Sequence, residues 1–156
     1  MEYALLQAVI LPLLLAPVAY VIGRKMGPTP AMWFTFGVLL YATILIINAA
    51  LSGTPVEEHY PWTTQFGEFG FLLDGLASPF AIIIYVLSTI LVIYSKPYMI
   101  HVFHEQFEEE HKINTSESGQ TSVVESSTLS NYVNAKSGLY FALYLVFAMG
   151  MLGTVL

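Results

Sequence analysis

The densest collection of chemically capable side chains in this sequence is the run His101-Val102-Phe103-His104-Glu105-Gln106-Phe107-Glu108-Glu109-Glu110-His111. Wound as a helix, positions 101, 104, 105, 108 and 111 share one face, because residues three and four apart are neighbours on a helix surface. Imidazoles and carboxylates so arranged can ligate a divalent metal, which makes His101, His104 and His111 the candidate metal residues. The order is not that of a zinc-hydrolase helix, because position 108, where the second histidine would stand, is Glu. The same spacing also describes the solvated face of a surface helix, and that reading is preferred over a metal site.

Asp74 and Lys96 are the other ionisable residues of interest. They stand at opposite ends of a long apolar block. Charged groups within a membrane span are functional candidates by default, so these two are the candidate ion-translocation residues. Each also has a simpler role. A carboxylate at a helix N-terminus caps it and complements its dipole, and a lysine stem can snorkel to the interface. Asn48, Ser88 and Thr89 suit interhelical hydrogen bonds. The sequence contains no phosphate-binding glycine loop and no defensible nucleophile–base pair. It has no cysteine, which removes disulfides, thiolate metal sites and iron–sulfur ligation. No catalytic residue and no cofactor is therefore expected of this chain.

The elements that would position these residues are membrane spans. The chain is 56% hydrophobic and only 10% charged, whereas about a quarter of the residues of a soluble domain are charged. The apolar residues fall in long uncharged blocks, and blocks of roughly 18 or more read as transmembrane helices. Four such blocks stand out, at about 3–23, 31–51, 74–99 and 137–156. Pro12 and Pro17 interrupt the first, which a membrane helix tolerates when neighbours satisfy the carbonyls that proline frees. Glu2 stands where a secretory signal would be basic, so the first helix is expected to be retained. The expected fold is an all-α membrane protein of about four transmembrane helices. Residues 1–99 hold three helices and an acidic outer loop at 52–75. A polar stretch occupies 100–136, and the fourth helix occupies 137–156.

Within the 52–75 loop, the aromatic and glycine-rich Phe66-Gly67-Glu68-Phe69-Gly70-Phe71 suggests a short hairpin on the membrane surface. The cap of the third helix is placed at Ser78, or at Asp74 if the helix starts a turn earlier. In the polar stretch, Met99, Phe103 and Phe107 recur every four residues, the pattern of an amphipathic helix lying on the bilayer. From Asn114 to Ser130 the sequence is mostly Ser, Thr, Glu and Gly and reads as flexible. Orientation follows the basic residues alone. Arg24, Lys25, Lys96, Lys112 and Lys136 all fall on one side of an alternating topology, and the 52–75 loop has none. This places the protein in the cell membrane with its N-terminus outside and 100–136 in the cytoplasm. The acidic net charge argues against nucleic acid as a partner; the lipid bilayer and other membrane subunits are the partners to expect.

The stretch from Phe69 to Met99 reads FGFLLDGLASPFAIIIYVLSTILVIYSKPYM. It resembles the third-helix signature of the proton-antiporter-like subunits shared by respiratory complex I, multisubunit cation/proton antiporters and membrane-bound hydrogenases. The matching parts are the aromatics Phe69 and Phe71, then Asp74-Gly75-Leu76-Ala77-Ser78, a long apolar helix, and the closing Tyr94-Ser95-Lys96-Pro97-Tyr98-Met99. Ala77 before Ser78 is a small departure. Tyr140 to Gly153 resembles the fourth helix of the same family, whereas the first two helices match only in character. The polar 101–136 stretch is longer than the family's usual connection there. The resemblance implies an N-terminal portion of a larger antiporter-like helix bundle, in a redox-linked complex that moves protons or sodium. The residues that the family uses for translocation, a Glu on the fifth helix and Lys residues on later ones, have no counterpart here. These helices are thus expected to pack around translocating helices on the same or another chain. The fourth block ends without an interfacial anchor, as a helix would that leads into further ones. A small accessory or assembly subunit with no transport role is the rival reading. A metal-sensing membrane protein using the 101–111 face is a third.

Overall fold

The computed structural model describes residues 4–52, 55–63, 67–114 and 122–156, with the backbone alone at 61–63, 67–69, 108–114 and 122–127. Four helices and one hairpin follow in chain order: α1 (Ala4–Met26), α2 (Pro28–Leu51), β1 (Val56–Thr63), β2 (Gly67–Leu73), α3 (Ala77–Asn114) and α4 (Ser122–Gly153). Each helix contains a stretch long and apolar enough to cross a membrane, so the protein is an all-α membrane protein with a small β-hairpin added. Its outward residues confirm the solvent. Leu14, Leu87 and Phe147 are more than half exposed, on faces where a water-soluble bundle would carry charge.

The hairpin lies between α2 and α3, whereas α1 and α2 follow each other almost directly. Between α1 and α2 there is only Gly27, at φ 93°. This left-handed conformation suits glycine, and its N–H still reaches the Gly23 carbonyl at 3.0 Å. Pro28 then opens α2, where a missing N–H costs nothing.

The packing is tightest between α1 and α4. The buried side of α1 is a stripe of small residues, Ala8, Ala16, Ala19 and Gly23, and small residues let membrane helices approach closely. The closest point is Gly23 against Gly138. A Cβ built on Gly23 would lie 2.4 Å from the Gly138 Cα, and one on Gly138 would lie 2.7 Å from the Tyr20 carbonyl oxygen. From α4, Phe141, Leu145, Ala148 and Leu152 continue this seam towards the hairpin, at the three- and four-residue spacing of one helix face.

The polar stretch differs from its expected form. Helix α3 does not stop near Met99 but continues through Pro97 to Asn114. Met99 and Phe107 are buried, and Phe103 packs against the core. Phe107 meets Tyr132 of α4 edge-on at 5.5 Å. The four-residue apolar stripe therefore turns towards the bundle, and its Phe107 packs on α4. Helix α4 in turn begins at Ser122, well ahead of position 137, so part of the stretch expected to be flexible is helical. A composition poor in apolar residues can still be helical when a neighbouring helix offers a packing face; Val133 is the buried contact on this side. Positions 115–121 of that stretch lie outside the described residues. At 1.5 Å per residue α3 is roughly 57 Å long and α4 roughly 48 Å, against roughly 30 Å of hydrocarbon. Both helices thus extend well beyond one membrane face as a paired arm.

Candidate functional site

The hairpin closes the end of the bundle where α1 and α3 begin and α4 ends. Strands β1 and β2 are antiparallel, with Val56 opposite Leu73, Glu58 opposite Phe71 and Tyr60 opposite Phe69. Side chains alternate faces along a strand. Val56, Glu58 and Tyr60 are half-buried on one face while Glu57 and His59 are exposed on the other, where His59 Nε2 and Glu57 Oε1 lie 2.7 Å apart.

The inward Glu58 is the busiest polar group at this end. The Leu5 and Leu6 backbone N–H groups donate to its two carboxylate oxygens at 3.0 and 2.9 Å, and the Tyr60 hydroxyl donates at 2.8 Å. The first amides of a helix have no partner within it, and the helix dipole favours an anion beside them. Glu58 therefore caps α1 from 52 residues away in sequence. A backbone bond from Leu72 N–H to the Leu156 carbonyl, at 3.0 Å, ties the hairpin to the residues after α4 as well.

Asp74 caps α3. Its Oδ1 accepts from Leu76 and Ala77 N–H at 3.0 and 2.7 Å, and its carbonyl accepts from Ser78 N–H at 3.0 Å. Of the two expected caps, then, Asp74 provides the bonds and Ser78 lies inside the first turn. With Ala49, Ala50, Pro55, Leu73, Gly75 and Ser78, Asp74 borders a cleft of about 260 Å³ between α2 and α3.

Lys96 is on the same helix but at the opposite membrane face. The 20 residues from Ala77 to Lys96 span roughly 30 Å, so the fold does not bring Asp74 and Lys96 together. Lys96, Pro97, Ile100, His101 and His104 instead border an open groove of about 550 Å³. His101 Nδ1 lies 3.5 Å from Glu105 Oε1, and both side chains are well exposed. Among the described residues no three His, Cys, Asp or Glu side chains converge to hold a metal. His111 is part of the α3 backbone, and its side chain lies outside the described residues.

Between the two ends the polar contacts are made by hydroxyl groups. Pro12 has no N–H, so the carbonyl of Ala8, four residues earlier, loses its helical partner. The Tyr85 hydroxyl of α3 donates to that carbonyl at 2.6 Å. Thr43 of α2 and Thr89 of α3 place their hydroxyls 3.1 Å apart, each also 2.7 Å from a carbonyl of its own helix. Each hydroxyl has one proton, so one of the pair donates across while the other donates back. The Tyr144 hydroxyl of α4 donates to the Ser88 carbonyl at 2.8 Å. The buried polar side chains among the described residues are Thr35, Thr43, Ser88, Thr89 and Ser137, all uncharged. Thr35 Oγ1 has no hydrogen-bond partner.

Sequence reasoning missed Glu58, Tyr60, Tyr85 and Tyr144. The alternation Val56-Glu57-Glu58-His59-Tyr60 holds a signal for Glu58, because in a strand it must face the same way as Val56 and Tyr60. For Tyr85 the signal is only indirect. Pro12 requires a donor, but nothing in the order of residues says which helix supplies it.

The sequence is similar to three plant proteins described as NAD(P)H-quinone oxidoreductase subunit 5, chloroplastic. It is 30% identical over 117 residues to that of Vicia faba, a match covering 65% of this chain and 16% of the relative. It is 35% identical over 95 residues to that of Nuphar advena, covering 58% and 13%. It is 30% identical over 92 residues to that of Lotus japonicus, covering 57% and 12%. No family model and no solved structure matches the chain. The similarity thus reaches more than half of this four-helix membrane protein but spans only about a sixth or less of the relatives' own length.

Proposed function

We propose that this chain belongs to a proton- or sodium-translocating, redox-linked membrane complex, in which its helices pack around the helices that translocate the ion. The observation that carries this reading is the similarity to the quinone oxidoreductase subunits. Two features of the fold support the packing role. The buried polar groups among the described residues are neutral and bonded largely to backbone carbonyls, which holds helices together without offering a carrier for protons. All four helices also keep apolar faces turned outward, suited to lipid or to further helices. Asp74 and Lys96 serve here as cap and interfacial anchor rather than as translocating groups. The distribution of basic residues supports an orientation in the cell membrane with Glu57 and the hairpin outside and the α3–α4 arm in the cytoplasm.

The uncharged interior also favours the second reading, an accessory or assembly subunit without a transport role. Both are tested by tagging the chain in its native membrane, purifying what it holds, and deleting its gene. Co-purification of redox subunits, with loss of redox-driven ion movement in the assembled remainder, is the expected result. Assembled complexes that pump normally without the chain would favour the accessory role. A chain that migrates alone in native gels and takes no redox subunit with it would defeat the proposal. The sidedness is checked separately with the single-cysteine variants Glu57→Cys and Asn131→Cys, both at exposed positions. An impermeant thiol reagent added to intact cells should label the first and not the second.

A further inference from the structure

We infer that the groove on α3 bordered by Lys96, Pro97, Ile100, His101 and His104 is a binding site for an anionic phospholipid. Its level in the membrane is the first reason. Counting roughly 20 residues of helix for the hydrocarbon layer from Ala77 brings the chain to Lys96, so the groove begins where headgroups lie. Tyr94 and Tyr98, about 70% exposed, flank it as interfacial aromatics do.

The second reason is the chemistry of its walls. Lys96, Ile100 and His104 follow one another at four-residue spacing, and Pro97 and His101 form the adjacent row. A lysine ammonium and two imidazoles therefore stand as donors around a space of about 550 Å³, with room for a phosphodiester headgroup. Glu105 is the one carboxylate described nearby and is engaged at 3.5 Å with His101. On the membrane side, the Pro97–His101 row continues as Ile93, with Ile90 a turn further on, both exposed, which gives acyl chains an apolar wall. A polar rim carrying Lys96 above an apolar column matches the two halves of a lipid and does not match a free anion. Basic residues at this level attract acidic lipids generally. Here they border one open groove on α3, a defined place against which a single lipid can lie.

The experiment uses the whole chain in nanodiscs of equal phosphatidylglycerol and phosphatidylcholine, released into neutral detergent, with bound lipids counted by native mass spectrometry. The chain should retain phosphatidylglycerol over phosphatidylcholine by about fivefold or more. The triple variant K96Q/H101Q/H104Q should lose that preference and keep its phosphatidylcholine and its thermal midpoint, since His101 and His104 are exposed and Lys96 is only half-buried. K96R should keep the preference. Millimolar inorganic phosphate should not displace the lipid. Equal retention of both lipids by the unaltered chain, or an undiminished preference in the triple variant, would overturn the inference. So would displacement by inorganic phosphate, which identifies a free-anion site, or a photo-crosslinker at position 101 that captures protein in place of lipid.

Discussion

The two ends of this bundle are closed by different physics. At the hairpin end, helix termini are sealed by carboxylates, with Glu58 on the amides of α1 and Asp74 on those of α3. At the other end the chain turns through the single residue Gly27, and α1 meets α4 backbone to backbone at Gly23 and Gly138. The charges divide in the same way. The hairpin end is acidic, whereas Arg24 and Lys25 occupy the last turn of α1 and Lys96 and Lys136 lie at the same level on α3 and α4. Carboxylates at helix N-termini and basic groups at a C-terminus both complement the helix dipole. The charge asymmetry between the two ends is therefore, for Glu58, Asp74, Arg24 and Lys25, also one that stabilises the helices. The lesson is that one end depends on specific side-chain acceptors and the other on the absence of side chains.

The glycine end should yield the largest effect. Gly138→Ala puts a methyl against the Tyr20 carbonyl oxygen and the Arg24 nitrogen, both backbone atoms that cannot swing aside. The expected loss is about 3 kcal/mol, read as a lower midpoint of thermal unfolding in detergent. Gly37→Ala and Gly150→Ala, where a Cβ meets nothing within 4 Å, should leave the midpoint unchanged or slightly raised. Equal effects at Gly138 and Gly150 would show that the contact does not matter.

The hairpin end should respond to chemistry rather than to size. Glu58→Leu removes the acceptor of the Leu5 and Leu6 amides and should cost about 2 kcal/mol. Glu58→Gln keeps one acceptor oxygen and should cost about half as much. Glu57→Gln, on the exposed face of the same strand, is the control and should be silent. Hydrogen exchange at Leu5 and Leu6 gives a local readout and should accelerate in Glu58→Leu alone.

Between the ends, Tyr85 and Pro12 offer a sharper test. Tyr85→Phe removes the donor to the Ala8 carbonyl and should cost about 1–2 kcal/mol. In a Pro12→Ala background position 12 recovers its own N–H, so the same change should cost little. A double-mutant cycle with no coupling would disprove the pairing.

Asp74 should give the smallest effect. Asn is also a good cap, so Asp74→Asn should cost a few tenths of a kcal/mol and Asp74→Leu about 1 kcal/mol. If Asp74→Asn abolished ion movement in an assembled complex of normal abundance, Asp74 would belong to a translocation path after all.

Much of this was legible in residue order. Four long apolar blocks almost free of charge point to membrane helices, because a span must satisfy its own backbone in lipid. Gly27-Pro28 marks the turn between α1 and α2, Asp74 the start of α3, and the glycine-rich aromatic run the hairpin, because these depend on local conformational preference. The 101–111 run drew attention for its residue types; of these, His101 and His104 border a groove with Lys96, and among the described residues no three ligating side chains converge.

What residue order by itself determined is therefore the solvent, the number of spans and the chemistry of their ends, all of which are set within a few turns of chain. Only the tertiary structure decided which face each segment covers. The stripe Met99-Phe103-Phe107 is the same on a bilayer surface as against α4, and the pattern carries no label for its partner. Glu58 could not be recognised as the cap of α1, nor Tyr85 as the donor that replaces the amide of Pro12, since each bond joins residues more than 50 positions apart. Such contacts exist only once the helices have packed, and packing depends on how whole surfaces fit together, which no local window of sequence contains.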